Sequence, residues 1–171
     1  DSREDVIHLS ISAYGGTGPF SHLPGYDPLM QAYSGLMSLT GHEGMPPTRV
    51  GGAVIDYGTG MWAATAVLAA LRHRDATGKG SELETSLLDT SLGWVSYHLT
   101  GYMSTGEVPA PMGSGVPAIA PYQAFATSDG HVMIAAGNDI LFKRLCEMLE
   151  VPELADDSRF LTNPLRSANH D

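Results

Sequence analysis

The stretch VGGAVIDYGTGMWAATAVLAALRHR, residues 50–74, carries one carboxylate, Asp56, with no other charged side chain from Val50 to Leu71. An Asp at the start of a helix can be a cap, its oxygens accepting free backbone N–H groups. It can also be a nucleophile, since an anion near a helix N-terminus is stabilised in its ionised form and available for attack at neutral pH. The run Tyr57-Gly58-Thr59-Gly60 bears on the choice, because each glycine costs a helix about 1 kcal/mol relative to Ala. Glycine is useful there if a ligand must come close to the backbone. Spacing alone leaves both readings open.

Downstream of Asp56, the Ala- and Leu-rich pattern predicts a helix over 61–73. Ala63, Ala64, Val67, Ala70 and Leu71 fall on one face, small enough to pack closely on a sheet. Gly78 and Gly80 form the stop. The segment 82–88 reads as a strand entering a second helix at 88–102. Upstream, VIHLSIS (6–12) reads as a strand ended by the loop YGGTGP. DPLMQAYSGLM reads as a short helix with Asp27 as its cap, Pro28 in its first turn and a break at Gly35. A loop, 40–48, leads into the quoted stretch. Strand and helix alternate in the rhythm of an α/β layer with parallel strands.

Residues 105–121 hold four Pro and three Gly, the composition of a domain boundary or a mobile active-site loop. Beyond it, YQAFAT and HVMIAA flank SDG, a hairpin signal. NDILFKRLCEMLE then reads as an amphipathic helix capped by Asn138, with Ile140, Leu141, Leu145, Met148 and Leu149 on one face. The remaining tail is polar and turn-rich, without a closing element.

Composition narrows the function. Hydrophobic residues make up 43% of the 171, enough for a packed core. No apolar run approaches the roughly 20 residues that cross a bilayer, and DSREDV lacks the features of a signal peptide. Cys146 is the one cysteine, which excludes an internal disulfide and suits a reducing, cytoplasmic setting. A net charge of -10, with nine Lys plus Arg against nineteen Asp plus Glu, disfavours nucleic acid and anionic lipid as partners. The seven His show no metal-ligand spacing. TGKGS is not a P-loop, because Gly80 follows Lys79 and His73 stands where its first Gly belongs. YGGTGPF does not fit GxGxxG, and MGSGV is not a nucleophile elbow.

Taken together, SISAYGGTGP, GYDPLMQAYSGLMSLTG, PPTRVGGAVIDYGTGMWAATAVLAALRHRDATGKG and YQAFATSDGHVMIAAGND resemble the class III (CaiB/BaiF-type) CoA-transferase family. That group holds formyl-CoA transferase and carnitine CoA-transferase, and also α-methylacyl-CoA racemase. The similarity runs almost end to end, in order and in register. It implies part of a parallel-sheet, Rossmann-like CoA-binding domain with its linker helix over 1–104. A Gly/Pro-rich linker or active-site loop over 105–120 and an incomplete small α+β domain over 121–171 would follow.

The resemblance implies that Asp56 is the nucleophile, acting on a coenzyme A thioester as substrate, with no prosthetic group and no metal. The route it implies runs through an aspartyl mixed anhydride and an aspartyl-CoA thioester before an acceptor carboxylic acid collects the CoA. Tyr26 and Asp27 match an aromatic-acidic pair beside nucleophile and CoA. Gly113, Ser114 and Gly115 match a mobile loop that covers the intermediates, here Gly-Ser-Gly rather than an unbroken glycine run. Racemases of the family carry His where Tyr26 stands, and a phenol is a poor base at neutral pH, so transfer is favoured over racemisation. Family chains are more than twice this length and form interlocked homodimers. A third reading follows: a central fragment, inactive without the rest of its chain.

Overall fold

A computed structural model describes residues 3–116 and 118–170. Asp1, Ser2, Pro117 and Asp171, which the boundaries above include, lie outside the described residues. The chain divides into two compact units, one ending at Pro111 and the other beginning at Met112, a division inside the segment 105–120.

The first unit is built on two parallel strands, β1 (Ile7–Ser12) and β2 (Ser81–Ser86), paired from Ile7↔Ser81 to Ser12↔Ser86. Between them run α1 (Asp27–Tyr33), the single turn α2 (Leu36–Leu39) and α3 (Val54–Thr77). After β2 comes α4 (Leu87–Thr105). The mixed α/β architecture and the parallel pairing are those expected from the alternation of patterns.

Local chemistry sets the boundaries. Gly35, at φ 83°, turns the chain between α1 and α2. Gly78 ends α3 in the left-handed region, its N–H donating to Arg74 O at 2.7 Å. Gly80 has a different task from the expected stop. It enters the strand pair, its N–H on Glu4 O at 2.7 Å, and a Cβ there would lie 1.8 Å from Val6 O. Ser86 caps α4, its hydroxyl accepting Asp89 N–H at 3.0 Å and donating to Asp89 Oδ2 at 2.7 Å.

Helix α3 is longer than the expected 61–73, because Gly58 and Gly60 lie inside it. It packs on β1, β2, α1 and α4, burying Ile55, Gly58, Thr59, Ala63 and Ala70. Ala64, placed on the buried face by periodicity, is exposed; the inner stripe runs through Thr59 and Ala63 and leaves Ala64 beside it. By length and mean hydropathy alone, α3 is long and apolar enough to span a membrane, contrary to the expectation that no apolar run approaches that length. It lies here as the packed helix of an α/β layer.

Gly58 is the contact point with α4. A Cβ on it would sit 2.8 Å from Trp94 Cζ2 and 2.9 Å from Thr90 Cγ2, so glycine lets the two helices approach. The Thr59 hydroxyl reaches Ile55 O and Thr90 Oγ1, both at 2.8 Å.

In the second unit, β3 (Tyr122–Ala126) and β4 (His131–Ala135) form the expected hairpin, followed by α5 (Asp139–Met148). Asn138 caps α5, its Oδ1 accepting Leu141 N–H at 2.9 Å. The packed stripe of α5 is rotated from the expected one. Cys146 is buried with Phe142 and Leu145 half-buried, while Ile140, Leu141, Met148 and Leu149 are exposed.

The tail does supply a closing element: a 3₁₀ turn, Pro152–Asp156, then α6, Asn163–Ala168. Arg166 on α6 is 2% exposed. It donates to Ala120 O, Phe160 O, Gly137 O and Asp139 Oδ1, and its guanidinium lies 4.7 Å from the Phe142 ring centre. A fork of five donors suits converging carbonyls.

Candidate active site

The first turn of α3 is held from three sides. Asp27, 3% exposed, sends Oδ2 to the backbone N–H of Ile55 at 2.7 Å and of Asp56 at 3.3 Å. Its Oδ1 accepts Gln31 Nε2 at 2.6 Å. Trp94 on α4 donates its indole N–H to Val54 O at 3.3 Å. Gln31, fully buried, also binds the glycine turn before α3: Oε1 accepts Val50 N–H at 2.8 Å, and Nε2 lies 3.4 Å from Gly52 O.

This geometry corrects two expectations. Asp27 does not cap its own helix: the N-cap of α1 is Tyr26, and Asp27 begins the helix. Its carboxylate caps α3 instead. Asp56 is not a cap either, because α3 starts at Val54 after Ala53 and the amides that a local cap would take are bound to Asp27. Among the described residues, the Asp56 carboxylate accepts no hydrogen bond.

The electrostatics follow. Asp56 is exposed as a residue, yet its carboxyl is pushed above the ordinary Asp range, first by partial desolvation and then by the neighbouring Asp27 charge. A helix N-terminus was expected to favour the anion. Here the α3 amides bind the Asp27 carboxylate from another helix, and partial burial with the Asp27 charge holds the Asp56 proton more tightly. The result is an unpartnered carboxylate on a rigid turn.

The surface around it is open. A Cβ at Gly51, Gly52 or Gly60 would meet nothing within 4 Å, and Gly60 shares the Asp56 face at four residues' spacing. Of the two glycines that suggested ligand approach, Gly60 keeps that role available and Gly58 serves helix packing. Tyr26 and Tyr57 are 75% and 76% exposed, with Met61 and Trp62 also exposed nearby along α3.

Arg49, one of the nine Lys plus Arg, is a cation to which the sequence assigned no role. Its Nη1 reaches Val50 O at 3.2 Å and Gly51 O at 3.3 Å, and among the described residues it has no carboxylate partner. Arg72 and Arg74 lie about 24 Å farther along the helix at 1.5 Å per residue, with Lys79 beyond them. Arg3 precedes Glu4, whose carbonyl binds Gly80 at that same far end. Arg49 is thus the first unit's cation at the Asp56 end of α3.

Asp56, Tyr26 and Asp27 come together in the first unit. Gly113, Ser114 and Gly115 belong to the second. There Gly113 has φ 61°, Gly115 N–H binds Met112 O at 3.1 Å, and Ser114 Oγ accepts Ala124 N–H at 2.9 Å. A cavity of about 370 Å³ opens beside Gly115, walled by Val116, Ile119, Phe142, Phe160 and Arg166 among others. Among the described residues no group of three or more His, Cys, Asp or Glu could hold a metal ion.

The α/β layer with its parallel strand pair is the architecture expected from the sequence, and the clamp on the start of α3 is a feature the structure adds. The model of CoA-transferase family III matches residues 2–171. The chain is 41% identical over 167 residues to acetyl-CoA:oxalate CoA-transferase of Acetobacter aceti, covering 97% of this chain and 43% of that protein. It is 40% identical over 164 residues to human succinyl-CoA:glutarate CoA-transferase, covering 96% and 37%. The crystal structure of a CAIB/BAIF family protein from Brucella suis superposes with a TM-score of 0.79 at 40% identity, over 98% of this chain and 44% of that one. The chain belongs to CoA-transferase family III. It spans about two-fifths of the length of these relatives.

Proposed function

We propose that the full-length protein bearing this chain is an acyl-CoA:carboxylate CoA-transferase with Asp56 as nucleophile. The observation that carries this reading is the Asp56 carboxylate itself, unbonded on a turn whose amides are capped from another helix. An Asp56 oxygen attacks the thioester carbonyl; the C–S bond breaks, leaving an aspartyl-acyl anhydride and CoA thiolate. The thiolate attacks the aspartyl carbonyl, releasing the donor acid and leaving an aspartyl-CoA thioester. The acceptor carboxylate attacks that thioester, forming a second anhydride and freeing the thiolate again. Attack of the thiolate on the acceptor's carbonyl gives the new acyl-CoA and restores Asp56. Splitting the exchange this way avoids a direct reaction of two poor partners.

The relatives named for oxalate and for glutarate both use dicarboxylic acids, and we extend that substrate class to this protein. Arg49 is the group we assign to the second carboxylate, since a guanidinium fork matches a carboxylate. Tyr26 stands beside Asp27 as an exposed aromatic for the substrate. The loop Gly113–Gly115 enters the reading through the family likeness alone, as does an interlocked homodimer.

The test is to incubate full-length protein with an acyl-CoA and hydroxylamine, which traps an activated Asp56 as its hydroxamate. Peptide mass spectrometry should locate the adduct at Asp56, and Asp56→Asn should abolish transfer. Turnover without any adduct, or α-proton exchange in deuterium oxide indifferent to acceptor acids, overturns the reading.

A further inference from the structure

We propose that Gln31 is a positioning residue for the transfer reaction, fixing the glycine turn and the start of α3 as one rigid piece; the role rests on the transferase reading of Asp56. Its amide is the junction of three elements. Nε2 reaches the Asp27 oxygen at 2.6 Å and lies 3.4 Å from Gly52 O, while Oε1 holds Val50 N–H at 2.8 Å. Asp27 in turn holds the amides of Ile55 and Asp56. One side chain, buried to 0% exposure, thereby sets where Asp56 stands and where the turn carrying Arg49 stands.

The chemistry explains why an amide is suited to the position. A carboxylate could hold Val50 N–H but would oppose Asp27, and an ammonium could satisfy Asp27 but not Val50. Only a group that donates on one side and accepts on the other fills both needs. An apolar side chain would orphan the Val50 N–H and leave Asp27 short of a donor in a buried site. The site would remain folded around α3, whose other contacts run through Ile55, Thr59 and Trp94. What it would lose is the fixed relation of nucleophile to turn, to which covalent catalysis is sensitive at sub-ångström displacements.

The charged groups tied to the Gln31 amide are Asp27 on the same helix, Arg49 next to Val50 on the turn it holds, and Asp56, whose backbone N–H is bound by Asp27. In the Gln31→Glu variant the introduced carboxyl meets Asp27, so the two share one proton and one of them titrates well above its ordinary range.

The experiment uses the full-length protein with Gln31→Met and Gln31→Glu. In Gln31→Met, kcat for CoA transfer should fall roughly 10- to 100-fold while KM for the acyl-CoA moves less than about threefold. Amide exchange at Val50, Ile55 and Asp56 should rise at least about tenfold, with Ala63–Ala70 unchanged. In Gln31→Glu, kcat relative to wild type should recover on acidification, when the introduced carboxyl can donate to Asp27. Unchanged exchange at those amides overturns the proposal, as does loosened exchange with an unchanged kcat or an equal rise in KM. If Gln31→Met does not fold, the pH recovery of Gln31→Glu decides, and its absence overturns the proposal. Wild-type protein that forms no Asp56 adduct defeats the transferase reading itself, a separate outcome that takes the positioning role with it.

Discussion

Asp27 Oδ2 lies 2.7 Å from the backbone nitrogen of Ile55, so the helix that bears Asp56 takes its cap from a different helix. A long-range cap couples the two elements that must stay in register for Asp56 to be presented. Replacing Asp27 by Ser separates this role from that of a local cap. Serine keeps a small polar side chain in the first turn of α1 but is too short to reach the α3 amides. We expect Asp27→Ser to lose about 2–3 kcal/mol, with a lowered urea midpoint and faster exchange at Ile55 and Asp56.

Asp56 itself should oppose stability at neutral pH. Its raised pKa means that the native state binds the proton more tightly than the unfolded chain does. Ionised Asp56 therefore weakens the fold above that pKa, and acidification relieves the cost. Asp56→Asn should be at least as stable as wild type at about pH 7, an advantage that shrinks by about pH 4. Urea midpoints at the two pH values check the sign. The acid limb of transfer activity should likewise lie above the range of an ordinary Asp.

The two glycines of the first turns should behave oppositely. Gly60→Ala fills open space on an exposed helix position and should stabilise by about 0.5–1 kcal/mol. Gly58→Ala drives a methyl into Trp94 and Thr90 and should destabilise by about 1–3 kcal/mol. If substrate passes over Gly60, the stabilised variant will also show a reduced kcat/KM. Thermal melts and transfer kinetics on the pair give both answers.

These cases mark what the sequence could and could not reveal. Periodicity and punctuation located the elements: Gly78 stops α3 and Asn138 opens α5, while the Ser86-x-x-Asp89 contact that opens α4 lay unread inside a segment taken as strand. The carboxylate with no charged neighbours was visible as well. Partnership across the fold was not. Nothing local says that Asp27 serves α3, although Gln31 four residues later, on the same face, was a readable hint of a buried amide–carboxylate pair. Gly58 and Gly60 look alike in sequence and differ only in what stands opposite. The face of α5 was misplaced because Phe142 and Cys146 pack inward, while hydropathy favoured Ile140 and Met148.

Arg166→Met should cost the second unit about 3 kcal/mol, since it strands three carbonyls around the buried guanidinium site, while the exposed Asp139 keeps its water. Arg166→Lys should rescue little, because a single ammonium cannot span the same set of acceptors. Segment-resolved hydrogen exchange should show loss of protection at β3, β4 and α5, with α3 unaffected.

Arg166 lies 46 residues after the Ala120 carbonyl it binds. On the ribosome, the hairpin and α5 therefore emerge before the side chain that closes around them. Through that interval the cavity wall that Arg166 completes stays open, and Phe142 on it lacks the guanidinium that later covers it, a window in which a nascent polypeptide is open to chaperones or to miscontacts.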